Sequence, residues 1–191
     1  MTSKESLRAQ IRRGRSRLSA EDLAAADEAL ARRTIDLPEV AAAEVVAVYL
    51  SVGDEPPTRR LADALLERGA TVLSPVMAPN RVLDWAAYTG ADELRVAAYG
   101  IAEPSGARLG GTALRSAGVV VLPALAVDRT GRRLGRGAGY YDRALAHADP
   151  RATRIALVFD DELADFVPTE PHDEPVHLVV TPSRTWRCTD G

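Results

Sequence analysis

Several things are scarce in this chain, and each scarcity removes a class of answer. Among 191 residues Cys188 is the sole cysteine. That excludes an intrachain disulfide and a cysteine-built metal cluster, and a lone thiol suits a reducing compartment. No apolar run approaches the roughly 20 residues that span a bilayer. The polar start, Met1-Thr2-Ser3-Lys4-Glu5, lacks the apolar centre of a signal peptide. A soluble, cytoplasmic protein with no membrane partner is expected. Net charge is −3, so there is no broad basic surface to draw in nucleic acid. A Gly-x-Ser-x-Gly elbow and a Ser/His/Asp order are both missing, which leaves acyl-hydrolase chemistry unsupported. What remains is an apolar fraction of 46% in a chain of single-domain length, enough for a substantial core.

The hydrophobic pattern alternates between two periods. Residues 3–18 read as a helix, with Leu7, Ile11 and Leu18 at helical spacing. Ser19, with Asp22 three residues on, opens a second helix over 20–35, which Pro38 is expected to end. Val45 to Leu50 is a continuous β-branched run, as in a strand buried on both faces. Thr58 should cap a helix that Gly69 stops. Strands are expected at Thr71–Ser74, ending at Pro75, then at Val82–Tyr88, Val119–Leu122, Arg154–Phe159 and His177–Thr181. Tyr140–Ala146 reads as a helix, residues 89–117 as irregular, and 182–191 as a frayed tail. Strands alternating with helices predict one α/β domain over 1–191. Its form should be a three-layer αβα sandwich with a mainly parallel central sheet and the N-terminal helices packed on it. In such a sheet the loops after Leu50, Leu122 and Phe159 open on one edge, where ligands bind.

The densest chemistry lies in Arg132-Arg133-Leu134-Gly135-Arg136-Gly137-Ala138-Gly139-Tyr140-Tyr141-Asp142. Glycines let backbone approach a ligand, and arginines offer forked donors to phosphate or carboxylate oxygens. The run is not a Gly-x-x-x-x-Gly-Lys-Ser/Thr loop. Nor is it a dinucleotide fingerprint, because Tyr140 stands where the third glycine belongs. It is read as an anion site built from the amides of Gly135 to Gly139, the start of the next helix, Arg133 and Arg136. The alternative is a solvated basic hairpin. Asp142 suits either a helix cap or a magnesium ligand. Tyr140 and Tyr141 face different ways, one into the core and one toward a pocket. Lys4 and Arg8, one turn apart, can reach a triphosphate together or form a solvated basic face. Glu55 can accept from a ligand N–H or remain an exposed loop acid. Trp85 can stack on a ring or sit in the core. Asp173, beside His172, is a candidate second carboxylate for a metal.

Taken in order, these residues resemble the 5-formyltetrahydrofolate cyclo-ligases over roughly residues 4 to 181. Lys4-Glu5-Ser6-Leu7-Arg8 is similar to the family's Lys-x-x-Leu-Arg. Tyr49-Leu50-Ser51 with Asp54-Glu55 is similar to its folate-contacting strand and loop, and Tyr99-Gly100-Ile101-Ala102-Glu103-Pro104 to its Gly-Ile-x-Glu-Pro. Leu122 to Asp128, Gly131 and Arg133 to Asp142 resemble its most specific signature. The resemblance implies ATP-dependent closure of 5-formyltetrahydrofolate to 5,10-methenyltetrahydrofolate with Mg²⁺, through a phosphorylated formyl group. It implies ATP binding by Lys4, Arg8, Arg133, Leu134, Gly135, Arg136, Gly137, Ala138, Gly139, Tyr140 and Tyr141. Folate would meet Arg8, Leu50, Glu55, Arg136, Gly137, Ala138, Gly139 and Tyr140. Arg136 and Tyr140 would be catalytic, and Asp142 and Asp173 would serve the metal. The partners implied are ATP and a reduced folate, acting on a monomer. The chain departs from the pattern at Ala124 and Val127, where Gly and Phe are usual, and at Ala138, which removes a lysine contact. Glu162 replaces a glutamine that would offer folate a neutral hydrogen bond. Two other readings compete. One is a non-catalytic relative that binds nucleotide or RNA; the other is a different ATP-dependent ligase or phosphotransferase.

Overall fold

A computed structural model describes residues 3–97, 100–170 and 173–189. Tyr99 and His172 fall outside them. The frame is a seven-stranded sheet whose strands alternate with helices along the chain. Helices α1 (Lys4–Arg15), α2 (Ala20–Ile35) and α3 (Pro38–Ala42) lead into β1 (Val45–Val48), α4 (Arg59–Glu67), β2 (Thr71–Ala78) and β3 (Val82–Ala87). A small hairpin, β4 (Leu94–Val96) and β5 (Ala102–Pro104), precedes β6 (Val119–Pro123). Then come β7 (Ala126–Asp128), β8 (Arg133–Leu134), α5 (Tyr140–Leu145), β9 (Thr153–Leu157), β10 (Leu163–Ala164), β11 (Leu178–Val180) and β12 (Thr185–Arg187). The sheet order is β12-β11-β9-β6-β1-β2-β3. The five inner strands are parallel, and β12 and β3 close the two edges antiparallel.

The two-faced burial expected of these strands is seen residue by residue. Val46, Val48, Val119, Val121, Ile155, Leu157, Leu178 and Val180 face a core shared with α2, α3 and α4. Ala47, Val120, Leu122, Ala156 and Val179 face the opposite core, shared with α5. This is the layered, mainly parallel architecture the alternating pattern predicts. Trp85 is in that second core, 1% exposed, so it packs rather than stacks on a ligand.

Helix α1 departs from the expectation that the N-terminal helices pack on the central sheet. Its Leu7 and Ile11 lie against Leu125, Ala126, Leu134 and Val167, around a second, three-stranded sheet of order β10-β7-β8. The glycine-rich loop is therefore partly strand. Arg133 and Leu134 pair with Val127 and Ala126, and the hairpin between them turns at Gly131.

Four local expectations are corrected. Pro38 starts α3 instead of only ending α2, because an N1 position needs no N–H. Pro75 lies inside β2. Pairing with β1 ends at Leu73, so the missing donor deprives no neighbour. Thr58 makes no cap hydrogen bond; its hydroxyl donates to Tyr49 O at 2.6 Å and accepts from Ser51 N at 3.1 Å. Residues 185–187 are an edge strand on β11, not a tail. By contrast, the capping box of Ser19 and Asp22 forms as predicted.

Candidate active site

The parallel strands leave their carboxyl ends on one edge, and a cavity of about 410 Å³ opens there. Such crevices are where open α/β sheets bind ligands. Tyr49, Leu50 and Val52 enter it from the end of β1, and Pro123, Ala124 and Leu125 from the end of β6. Pro75, Met77 and Leu83 form an apolar wall from β2 and β3, and Ile101 closes it beside β5. Leu134 to Asp142 border the opposite side, and Lys4 and Arg8 reach in from α1. Asp173 and Glu170 complete the polar end. Every residue that the sequence pattern and the resemblance singled out for ATP, folate or metal thus borders a single cavity. Both Tyr140 and Tyr141 line it, although only one was expected to.

The glycine loop reaches this position by backbone geometry that side chains disfavour. Gly137 has φ +100° and a Cβ placed there would lie 3.4 Å from the Arg8 guanidinium. Gly139, at φ +68°, is the left-handed residue before α5. Helix α5 is only six residues long, so the amides and arginines of the loop dominate over any helix field.

Four cations meet five carboxylates around the cavity. Arg133 is buried; its Nη2 donates to Asp142 Oδ1 at 2.6 Å, while its Nε is buried without a hydrogen-bond partner. Arg136, half exposed, reaches across the mouth to Glu55 Oε1 at 3.0 Å and Asp54 Oδ1 at 3.3 Å. Glu55 Oε2 accepts from Val52 N at 2.9 Å. Burial pushes the Glu55 carboxyl above its ordinary range, and the Arg136 charge only partly opposes this. Glu55 is therefore no exposed loop acid. Burial raises the Tyr141 hydroxyl as well, aided by the Glu55 charge and opposed by Arg133. Lys4 Nζ lies 2.8 Å from Asp173 Oδ2 and 3.1 Å from Glu170 Oε1. Burial alone would lower the Lys4 ammonium, but these two carboxylates leave it raised. Arg8 Nε donates to Gly135 O at 2.9 Å. Lys4 and Arg8 are therefore engaged with the site rather than forming a solvated face.

Among the described residues no three His, Cys, Asp or Glu side chains gather into a preformed metal cage. Asp142, paired with Arg133, and Asp173, paired with Lys4, are hard oxygen donors on the cavity wall. That set fits Mg²⁺, which typically takes one or two carboxylates and completes its shell with phosphate oxygens and water.

The departures from the family pattern have distinct places. Ala124 and Ala138 line the cavity, whereas Val127 is fully buried in the core beneath. Glu162 is not among the cavity-lining residues. It binds Arg15 with both oxygens, at 2.6 and 2.9 Å, so the folate contact considered for this position is replaced by an internal ion pair. Met77, Leu83 and Glu170 line the cavity and were missed by sequence reasoning. The apolar run Val76-Met77-Ala78 continuing beyond Pro75 was the available signal for Met77.

Comparison with known proteins gives a consistent result. A model of the 5-formyltetrahydrofolate cyclo-ligase family matches residues 1–182. The 5-formyltetrahydrofolate cyclo-ligase of Mycolicibacterium smegmatis is 46% identical over 144 residues, covering 73% of this chain and 74% of that protein. The enzyme of that name from Escherichia coli K12 is 33% identical over 179 residues, covering 92% and 98%. The solution structure of 5,10-methenyltetrahydrofolate synthetase from Aquifex aeolicus superposes with a TM-score of 0.83 at 26% identity, covering 98% of this chain and 94% of that one. With its fold and its sequence both agreeing with these enzymes, the chain belongs to the 5-formyltetrahydrofolate cyclo-ligase family.

Proposed function

We propose that the cavity closes 5-formyltetrahydrofolate to 5,10-methenyltetrahydrofolate at the expense of ATP, with Mg²⁺, releasing ADP and phosphate. The observation that carries this reading is the pairing of an apolar, aromatic-walled half with a cationic glycine loop. There Arg133 lines the cavity, and its Nε is buried without a partner. A buried donor left unsatisfied is costly, and a phosphate oxygen removes that cost.

In this reading the pterin lies against Tyr49, Leu50 and Met77, and Glu55 accepts from a pterin N–H. Lys4, Arg8, Arg133 and Arg136 take the phosphates, with Asp142 and Asp173 holding Mg²⁺, which neutralises phosphate charge when bound. The formyl oxygen on N5 attacks the γ-phosphorus as the bond to ADP breaks. N10 then attacks the activated formyl carbon. The C–O bond breaks, and the N10 proton leaves with the departing phosphate. Phosphoryl transfer asks mainly for positioning and charge stabilisation, so no nucleophilic side chain is needed. Arg136 and Tyr140 flank the reacting groups, and the apolar wall keeps water from the activated formyl carbon.

The test is the rise of methenyltetrahydrofolate absorbance with 5-formyltetrahydrofolate, ATP and Mg²⁺. A signal that needs ATP supports the reading. Absence of a signal together with tight RNA binding would favour a non-catalytic module. ATP consumption with another acceptor only would favour a different ligase.

A further inference from the structure

Lys4, Arg8, Ile11 and Arg15 fall on one stripe of α1, spaced by four, three and four residues. The first two address the cavity and the third is in a small apolar cluster. Arg15 lies about 16 Å along the helix axis from Lys4. Its side chain is 1% exposed, and that of its partner Glu162 is 3% exposed. Arg15 Nε and Nη2 donate to the two Glu162 oxygens at 2.6 and 2.9 Å. Nη2 also donates to Ala124 O at 2.7 Å. Phe159 N donates to Glu162 Oε2 at 2.9 Å, and the Phe159 ring lies 5.5 Å from the Arg15 guanidinium. One ion pair thus ties α1 to the residues that follow β6 and β9. Neither member of it lines the cavity.

Apolar contact at Leu7 and Ile11 is non-directional and leaves a helix free to slide or roll. A two-point guanidinium–carboxylate contact fixes both. Buried pairs of this kind seldom repay their desolvation as stability, so the one here is better explained by what it orients. We propose that Arg15–Glu162 is a positioning pair: it sets the register of α1 so that Lys4 and Arg8 meet the glycine loop where the phosphates bind.

The kinetic arm of the test rests on the ATP reading; a hydrogen-exchange arm does not. Arg15→Met is compared with Leu65→Ala, a core change in α4 that lowers stability without touching α1's anchor. Arg15→Met should raise KM for ATP about tenfold or more, with much less effect on KM for 5-formyltetrahydrofolate, and should speed amide exchange across residues 4–11. Leu65→Ala should do neither. Glu162→Gln keeps an acceptor for Arg15 and for Phe159 N, so it should retain most of the wild-type KM. If Arg15→Met does not fold, Arg15→Lys, which keeps the charge but not the two-point contact, is read in its place and should show the same rise in KM and faster exchange. Equal KM shifts in Arg15→Met and Leu65→Ala, or unchanged exchange in α1, would overturn the proposal. So would a Glu162→Gln enzyme no better than Arg15→Met. Wild-type protein that does not use ATP would defeat the functional reading instead, and the exchange arm would still decide the role of the pair.

Discussion

At the residue scale, the site holds some of its charges, Arg133 and Glu55 among them, away from water. Glu55 shows what that costs the fold. Its carboxyl is raised by burial, so between its ordinary value and its folded value the native state holds more protons than the unfolded chain. Stability then falls as pH rises through that window. Glu55→Gln should reduce this slope, leaving the part due to Glu162, whose carboxyl burial also raises, and should melt no lower than the parent at pH 7 while losing cyclisation; thermal melts at several pH values, beside the absorbance assay, check both. Arg136 is held by the same carboxylate. Arg136→Ala should lower kcat/KM about 10²-fold or more, the scale for one preorganised charge-stabilising donor, and near-normal turnover in a folded variant would count against its role. Gly131 tests geometry alone. A Cβ there would sit 2.1 Å from Val176 O, at φ +83°. Gly131→Ala should cost about 3 kcal/mol or more in denaturant unfolding.

At the element scale, the segments that pattern and caps identify are those that are locally self-consistent. Ser19 and Asp22 satisfy each other's backbone donors at the start of α2, and that signal is written in four consecutive residues. Ser19→Ala should cost about 1 kcal/mol and lower the melting temperature by about 2–4 °C, read by circular dichroism. The inner strands are legible for a similar reason, since burial on both faces demands an unbroken apolar run. The hairpins β4–β5 and β7–β8 are not legible. Each strand is two or three residues long, too short to carry a period, and exists because a partner elsewhere accepts its hydrogen bonds. Strand β12 is of the same kind. Trp186 packs at the second core and under Arg129, 4.9 Å away.

At the scale of the whole molecule, one sheet serves as the common wall of two cores and as the ledge of the cavity. Ligand binding should therefore stabilise the entire fold by linkage. A non-hydrolysable ATP analogue with Mg²⁺ at about 100 times its Kd should add about 2.7 kcal/mol, a rise of about 5–10 °C in melting temperature, measured by differential scanning fluorimetry. No shift at saturating analogue would argue against nucleotide binding. Large exposed apolar side chains among the described residues are Val82, Val96, Leu109 and Phe166, and Phe166 has the Arg132 guanidinium over its ring. A monomer of 20.4 kDa is the outcome expected in sedimentation.

The sequence by itself determined the fold class, the mainly parallel sense of the sheet and the glycine–arginine loop at the cavity. These follow from hydrophobic period and from residue types whose geometry is intrinsic, such as glycine and arginine. Tertiary structure alone decided which charges face each other. Arg136 meets Glu55 across more than 80 positions, Lys4 meets Asp173 across 169, and Arg15 meets Glu162 across 147. Pairings at that separation leave no local period or spacing to read. They are set by where the parallel strands deposit their loops and by how α1 is laid against the smaller sheet, and only the folded chain fixes those distances.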